Sequence, residues 1–400
     1  MSISPLIITA STMVNALGRG KKATFEALQQ KRSGLVASKN LEFSTWLGHV
    51  EGVDNYALEK PLTKFSCRNN QLAKLTLDTD NFRDAVNKAI DKYGADRIGI
   101  FLGSSTSGSE ETEKAYQKRE GDGALPAEFD LMHTHNFTSL LNYTQQSLGL
   151  TGIGLVISTA CSSSAKVFAA AHRHIESGFC DAAIVGGVDT LTQISLYGFN
   201  SLQLISSEPC RPGDEKRDGI SIGEAGGFAL LESENFANSI SGVVLKGYGE
   251  SSDAYHMSTP HPEGRGAANA INKALDSANL LATDIGYINL HGTATPSNDA
   301  SEDKAVVSVF GSDIPCSSTK GWTGHTLGAA GITEALICML VLEHQLLPAS
   351  LNLTTPDPLL KSHILLENAK LEPKQAIKHV LSNSFGFGGS NCSLIFGLPS

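Results

Sequence analysis

Apolar residues fall in short runs separated by glycine-containing or polar turns and by alanine-rich stretches. Such runs predict buried strands where they are four to eight residues long, and helices where apolar positions recur over a longer span. Ile98-Gly99-Ile100-Phe101-Leu102, Gly154 to Ser158, Ala182 to Gly186, Gly227 to Leu231, Ile285 to Leu290 and Cys392 to Phe396 read as strands. Ser162 to Ile175 and Leu327 to Val341 read as helices. Strands alternating with helices predict α/β layers. The text turns polar near Glu232 to Ser239 and a new strand opens at Val243-Val244-Leu245, which divides the chain into halves at 1–238 and 239–400. The halves echo each other. In each, a strand leads through a turn to a helix that opens on small residues, and each turn carries one reactive side chain, Cys161 or His325. The two turns are expected at one cleft, with both helices buried centrally.

Three separate segments carry chemistry: Ser158-Thr159-Ala160-Cys161-Ser162-Ser163-Ser164, His291-Gly292-Thr293-Ala294-Thr295-Pro296, and Lys320-Gly321-Trp322-Thr323-Gly324-His325. One cysteine with two histidines suffices for thiol-based acyl transfer and carbanion chemistry. Cys161 falls at a strand-to-helix turn, where unpaired N–H groups and the helix macrodipole are expected to favour thiolate.

Composition narrows the rest. With 41% hydrophobic and 18% charged residues the chain is an ordinary globular protein. Its net charge of −10 argues against nucleic acid or an anionic membrane as partner. There is no basic leader followed by an apolar stretch, and no run reaches the roughly 18 apolar residues of a membrane span. The 7 cysteines are scattered and never spaced C-x-x-C, so neither a metal site nor a disulfide framework is expected, and a reducing cytoplasm is. Gly103-Ser104-Ser105-Thr106-Ser107-Gly108-Ser109 lacks the ending of a phosphate loop.

Six segments in this order resemble the elongating β-ketoacyl-acyl-carrier-protein synthases: T-A-C-S-S-S at 159–164, C-R-P-G-D-E-K-R-D-G-I-S-I-G-E-A at 210–225, S-S-D-A-Y-H at 251–256, H-G-T-A-T-P-S-N-D at 291–299, S-S-T-K-G-W-T-G-H-T-L-G-A-A-G at 317–331 and N-S-F-G-F-G-G-S-N at 383–391. The resemblance spans nearly the whole chain. It implies a thiolase-like five-layered αβαβα sandwich built from two related halves and assembled as a dimer. It also implies decarboxylative Claisen condensation of an acyl group on Cys161 with malonyl-acyl-carrier protein. By resemblance, the N–H groups of Cys161 and Phe387 form the oxyanion hole, and His291 and His325 donate from Nε2 to the malonyl thioester carbonyl. Lys320 is a fixed charge beside them with Glu334 or Glu302 as counter-ion. Phe387 and Gly388 belong to a gating loop, and Thr293 and Thr295 bond the phosphopantetheine arm. No cofactor is implied beyond the carrier's own phosphopantetheine.

The sequence resembles in particular the ketosynthases of aryl polyene clusters, with Ser162-Ser163-Ser164 after the nucleophile and Trp322 where Met or Ser is usual. Thr106 falls near the position that caps the family's acyl pocket. Either a homodimer or a heterodimer with a chain-length-factor-like homologue fits the resemblance. The alternative function is that of such a structural or chain-length-controlling subunit, which lacks the nucleophile present here. Lys64, Arg68, Lys114, Lys118 and Arg119 are the candidate basic residues for carrier docking. The 210–225 segment reads as a structural ion-pair loop.

Overall fold

The computed structural model describes residues 2–233 and 242–399. Five strands of the first half, β1 (Leu6–Asn15), β2 (Ile98–Gly103), β3 (Gly154–Ile157), β4 (Ala182–Asp189) and β5 (Ala225–Ser233), lie in the order β1-β5-β4-β2-β3. The second half contributes β6 (Val243–Ser252), β7 (Tyr287–Asn289), β8 (Pro315–Ser317), a short edge strand β9 (His363–Ile364), β10 (His379–Gly386) and β11 (Ser390–Gly397). Their order is β6-β11-β10-β7-β8-β9.

The two orders are the same topology used twice. β1 runs antiparallel to β5 and β5 to β4, while β4, β2 and β3 are parallel. β6 runs antiparallel to β11 and β11 to β10, while β10, β7 and β8 are parallel. Among the described residues, a three-residue antiparallel pairing, Leu6 to Ile8 against Val243 to Leu245, joins the sheets. The division proposed between residues 238 and 239 lies outside the described residues.

Between the sheets lie two equivalent helices, α1 (Ser163–Glu176) after β3 and α2 (Ala330–His344) after β8. Every residue of α2 from Ala330 to Leu342 is buried, as an all-round apolar helix must be. Each fully covered Leu or Ile there is worth about 1.5–3 kcal/mol. The stretch Leu327–His344 is long and apolar enough to cross a membrane, but 89% of it is buried in this core. Small residues let the helices approach: Ala165, Ala170 and Ala171 of α1 share one cluster with Ala335 and Leu336 of α2, and the Ile332 N–H donates to Ser164 Oγ at 2.9 Å. Further clusters cover the outer sheet faces, under Arg68–Leu77 and Thr138–Leu148 on one side and Arg265–Ala278 and Pro296–Phe310 on the other. The layers are therefore αβαβα, as expected from the resemblance.

Sequence periodicity located β2 to β7, β11 and both central helices to within a few residues. It did not single out β10, whose His379–Gly386 run is broken by Ser382-Asn383-Ser384. Those polar side chains are buried among neighbouring strands, a setting that period-2 patterning does not register.

Candidate active site

Cys161 lies between β3 and α1, directly after Ala160, whose φ of 51° is left-handed. An alanine there is strained by about 1–2 kcal/mol, and the turn is held by local bonds. Thr159 N–H donates to Ser163 Oγ at 2.9 Å, and Ser162 Oγ donates to the Thr159 carbonyl at 2.9 Å. The β10–β11 turn packs onto this loop. A Cβ on Gly386 would sit 2.7 Å from the Thr159 carbonyl, so only glycine permits the approach. The backbone N–H groups of Phe387 and Cys161 both face the cysteine sulfur.

His325 Nε2 lies 3.0 Å from Cys161 Sγ. Its own N–H donates to the Ser221 carbonyl at 2.7 Å, and its Nδ1 accepts the Leu327 N–H at 3.2 Å. With Nδ1 occupied as an acceptor, the ring proton is on Nε2. His291 is 5.4 Å from His325, ring centre to centre, at 87°. Its Nδ1 faces Lys320 Nζ at 3.4 Å, and lysine has only hydrogens to offer, so His291 also carries its proton on Nε2. Burial first, and then the Lys320 charge, hold both imidazoles well below their usual pKa. Both are neutral N–H donors at neutral pH.

Lys320 is buried and paired with Glu334 Oε1. This resolves its counter-ion: Glu302 serves elsewhere. Its two oxygens accept the His291 N–H at 2.8 Å and the Gly292 N–H at 2.7 Å, and Asn383 Nδ2 donates to it at 3.1 Å. Glu302 thus fixes the backbone under His291. Burial raises both carboxyls to about 7, against the N–H donors on Glu302 and the Lys320 charge on Glu334.

Burial also overturns the expected thiolate. The Cys161 thiol is pushed up to about 11, because desolvation by burial outweighs the Lys320 charge and the two backbone N–H groups. Cys161, His291 and His325 bring one potential metal-ligating atom each within 4.8 Å of one another. Both imidazoles turn N–H bonds, not lone pairs, toward the centre, so the donor set does not fit a metal.

The cleft above these groups is narrow, with a free volume of about 50 Å³. Cys161, His291 and His325 form its floor, and Thr293 and Thr295 line its wall with their hydroxyls 2.8 Å apart. Phe385 and Phe387 separate in role: Phe385 is buried against the His291 ring, whereas half-buried Phe387 lies tilted against Phe199 with ring centres 5.6 Å apart. Gly388 is exposed at φ 81°, and its N–H donates to the Met257 carbonyl at 2.7 Å.

Several supports were not picked out in the sequence. Asp253 lines the cleft and accepts from Asn391 Nδ2 at 2.8 Å and the His261 N–H at 3.0 Å; membership of the S-S-D-A-Y-H segment was its only signal. The 210–225 segment is the ion-pair loop expected. Asp214 accepts the Thr354 and Thr355 N–H groups, and Arg217 meets Asp299 and Asp357. The same loop also supplies the Ser221 carbonyl under His325. Arg68 is buried against Glu224 and is not free for docking, while Lys114 is tied to Glu110 and Glu111. Thr106 is buried with its hydroxyl on Asp189 at 2.8 Å and is not among the residues lining the Cys161 cleft.

A thiol and two neutral imidazoles, set on the turns of a duplicated αβαβα sandwich, define a thiolase-like condensing enzyme. The chain belongs to the β-ketoacyl synthase family: residues 4–237 match the β-ketoacyl synthase N-terminal domain and 243–354 the C-terminal domain. It is 30% identical over 418 residues to the 3-oxoacyl-[acyl-carrier-protein] synthase 2 of Vibrio harveyi, covering 99% of each chain. Among solved structures it resembles the ketosynthase ApeO in complex with its chain length factor ApeC from Xenorhabdus doucetiae. The TM-score is 0.90 at 38% identity, over 99% of this chain and 98% of that one. It also resembles the ishigamide ketosynthase/chain length factor, with a TM-score of 0.88 at 25% identity over the full length of both chains. The protein is an acyltransferase of the ketosynthase type.

Proposed function

We propose that this enzyme elongates acyl chains by decarboxylative condensation, with Cys161 as nucleophile and malonyl-acyl-carrier protein as extender. The observation that carries the reading is the 3.0 Å contact of Cys161 Sγ with the neutral, Nε2-protonated His325, with a like-protonated His291 beside it. In the first half-reaction the sulfur attacks the acyl thioester carbonyl. The oxyanion forms against the N–H groups of Cys161 and Phe387. Collapse breaks the bond to the carrier sulfur, which leaves with the proton given up by the thiol.

Malonyl-carrier then binds, its phosphopantetheine arm bonded by Thr293 and Thr295. Cleavage of the bond to the carboxylate releases CO₂ and leaves the electron pair in an enolate. His291 and His325 donate Nε2–H to the enolate oxygen. Lys320, held by Glu334, keeps His291 in the required tautomer and disfavours its protonation. The enolate carbon attacks the acyl-cysteine and expels the Cys161 sulfur, which takes a proton from solvent to return as the thiol. The product is 3-oxoacyl-carrier protein, two carbons longer. Phe387 and Gly388 act as the gate, and no resident cofactor or metal takes part.

We assign the chain to polyketide elongation of the aryl polyene type, in the cytoplasm, as the active member of a heterodimer with a chain-length-factor-like homologue. The heterodimer is favoured over a homodimer by the likeness to two ketosynthase–chain length factor structures. The free edge of β3 supports a paired assembly: it ends its sheet and leaves Leu155 40% exposed. The test is intact-protein mass spectrometry after incubation with acyl-carrier protein, comparing wild type with Cys161→Ala and then adding malonyl-carrier protein. Acylation confined to Cys161, discharged as a product two carbons longer, is expected. No acylation, with or without a chain-length-factor-like partner, overturns the reading.

A further inference from the structure

Asp189, the last residue of β4, is fully buried, and six donors converge on its carboxyl group. Oδ1 accepts from Ser104 Oγ at 2.6 Å, Thr106 Oγ1 at 2.8 Å and the Thr106 N–H at 3.0 Å. Oδ2 accepts from Ser105 Oγ at 2.7 Å, the Ser105 N–H at 2.9 Å and the Gly328 N–H at 2.6 Å. The serine- and threonine-rich loop after β2 therefore spends its hydroxyls on an internal carboxyl. Gly328 is the only one of these donors from the second half of the chain. Its N–H is also 3.0 Å from Ser105 Oγ, so two acceptors from the first half grip one amide of the second.

That amide follows Leu327, whose φ of 54° is left-handed. A bulky residue stays in that region only where its surroundings over-determine it. The Leu327 N–H is the group that bonds His325 Nδ1 and thereby puts the His325 proton on Nε2, toward Cys161. Asp189 and Ser105 hold the strained turn from one side, and His325 is fixed on the other. We propose that Asp189 is a positioning residue: by clamping the Gly328 N–H it holds Leu327 in the conformation that sets the His325 tautomer. This rests on the condensing role given above to His325. It adds that a first-half carboxyl, out of contact with the reacting atoms, decides whether that histidine can donate.

Asp189→Asn tests it, because the amide is isosteric but turns N–H bonds toward surrounding donors. In ¹⁵N-histidine-labelled protein, wild-type His325 is expected to show the Nε2–H tautomer and Asp189→Asn a mixture of both. In condensation kinetics kcat should fall about 10- to 100-fold, as for a small displacement of a reacting group, with KM for malonyl-carrier protein unchanged. An unchanged tautomer and kcat, with only a lower melting temperature, overturns the proposal and leaves Asp189 purely structural. Should Asp189→Asn fail to fold, Ser105→Ala removes one acceptor on Gly328 and is read the same way. A weaker shift in the same direction supports the clamp, and none overturns it. The tautomer needs no turnover. A wild type that shows the Nε2–H form yet does not condense would therefore overturn the proposed function and not the clamp.

Discussion

His325 Nε2 lies 3.0 Å from Cys161 Sγ while its Nδ1 accepts a backbone N–H, so the imidazole meets the sulfur as a hydrogen-bond donor. A histidine acting as base toward the thiol would need the opposite tautomer. The pair is therefore built to stabilise negative charge, on sulfur or on an enolate oxygen, and does not strip the thiol of its proton in the resting enzyme.

The resting thiol gives the first prediction. With its pKa pushed up to about 11 by burial, Cys161 is almost wholly protonated at neutral pH. Its alkylation by iodoacetamide, followed on the Cys161 peptide by mass spectrometry, should rise about tenfold per pH unit from 7 to 10. Lys320→Met should slow it further, because the Lys320 charge is the largest influence opposing burial. An inflection below pH 8 in wild type would contradict this.

Lys320 and Glu334 form a buried ion pair inside the most apolar layer of the fold. Glu334→Gln leaves the buried lysine charge without its counter-ion and should cost about 3–5 kcal/mol in urea unfolding. The double variant Lys320→Met/Glu334→Leu should recover much of that stability but not condensation, since nothing then faces His291 Nδ1. Recovery of both would mean that the pair serves packing alone.

Glu302 predicts a pH signature. Burial raises its carboxyl from 4.5 in the unfolded chain to about 7, so the native protein keeps the proton longer. This group takes nothing from stability below pH 4.5, and stability falls as pH rises from 4.5 to about 7, by up to about 3 kcal/mol. Glu302→Gln should lack that fall. Urea unfolding of both proteins across the window checks it, and parallel curves would refute it.

Gly388 tests the gate through conformation. A Cβ there meets nothing within 4 Å, so Gly388→Ala introduces no clash, only an alanine at φ 81°. The expected cost is about 1–2 kcal/mol if the conformation is kept. Condensation should slow while decarboxylation-independent alkylation of Cys161 by a small reagent is retained. Full activity at full stability would show that the turn needs no left-handed residue.

Much of this site was legible before any coordinates. Cys161 and His325 sit on equivalent turns of two echoing halves, and the topology bears out the echo because each half closes the same order of strands. Local pattern suffices where burial follows period 2 or a small-residue helix. It fails for β10, whose Ser382-Asn383-Ser384 core is polar.

Residue types and spacing by themselves determined the α/β layering, the duplication, the thiol and the two imidazoles, and the family resemblance added the lysine beside them. These are properties of short segments, set by periodicity and by what each side chain can do. The tertiary structure decided which carboxyl pairs with Lys320, which ring nitrogen carries each proton and whether Cys161 rests as thiol or thiolate. Those depend on desolvation and on partners that folding sets in place: the Leu327 N–H on His325, Lys320 on His291, and the Asp189 carboxyl accepting the Gly328 N–H. The helix terminus beside Cys161 argued for thiolate, and burial at the floor of the cleft reversed it, because removing water from a charge outweighs a partial dipole.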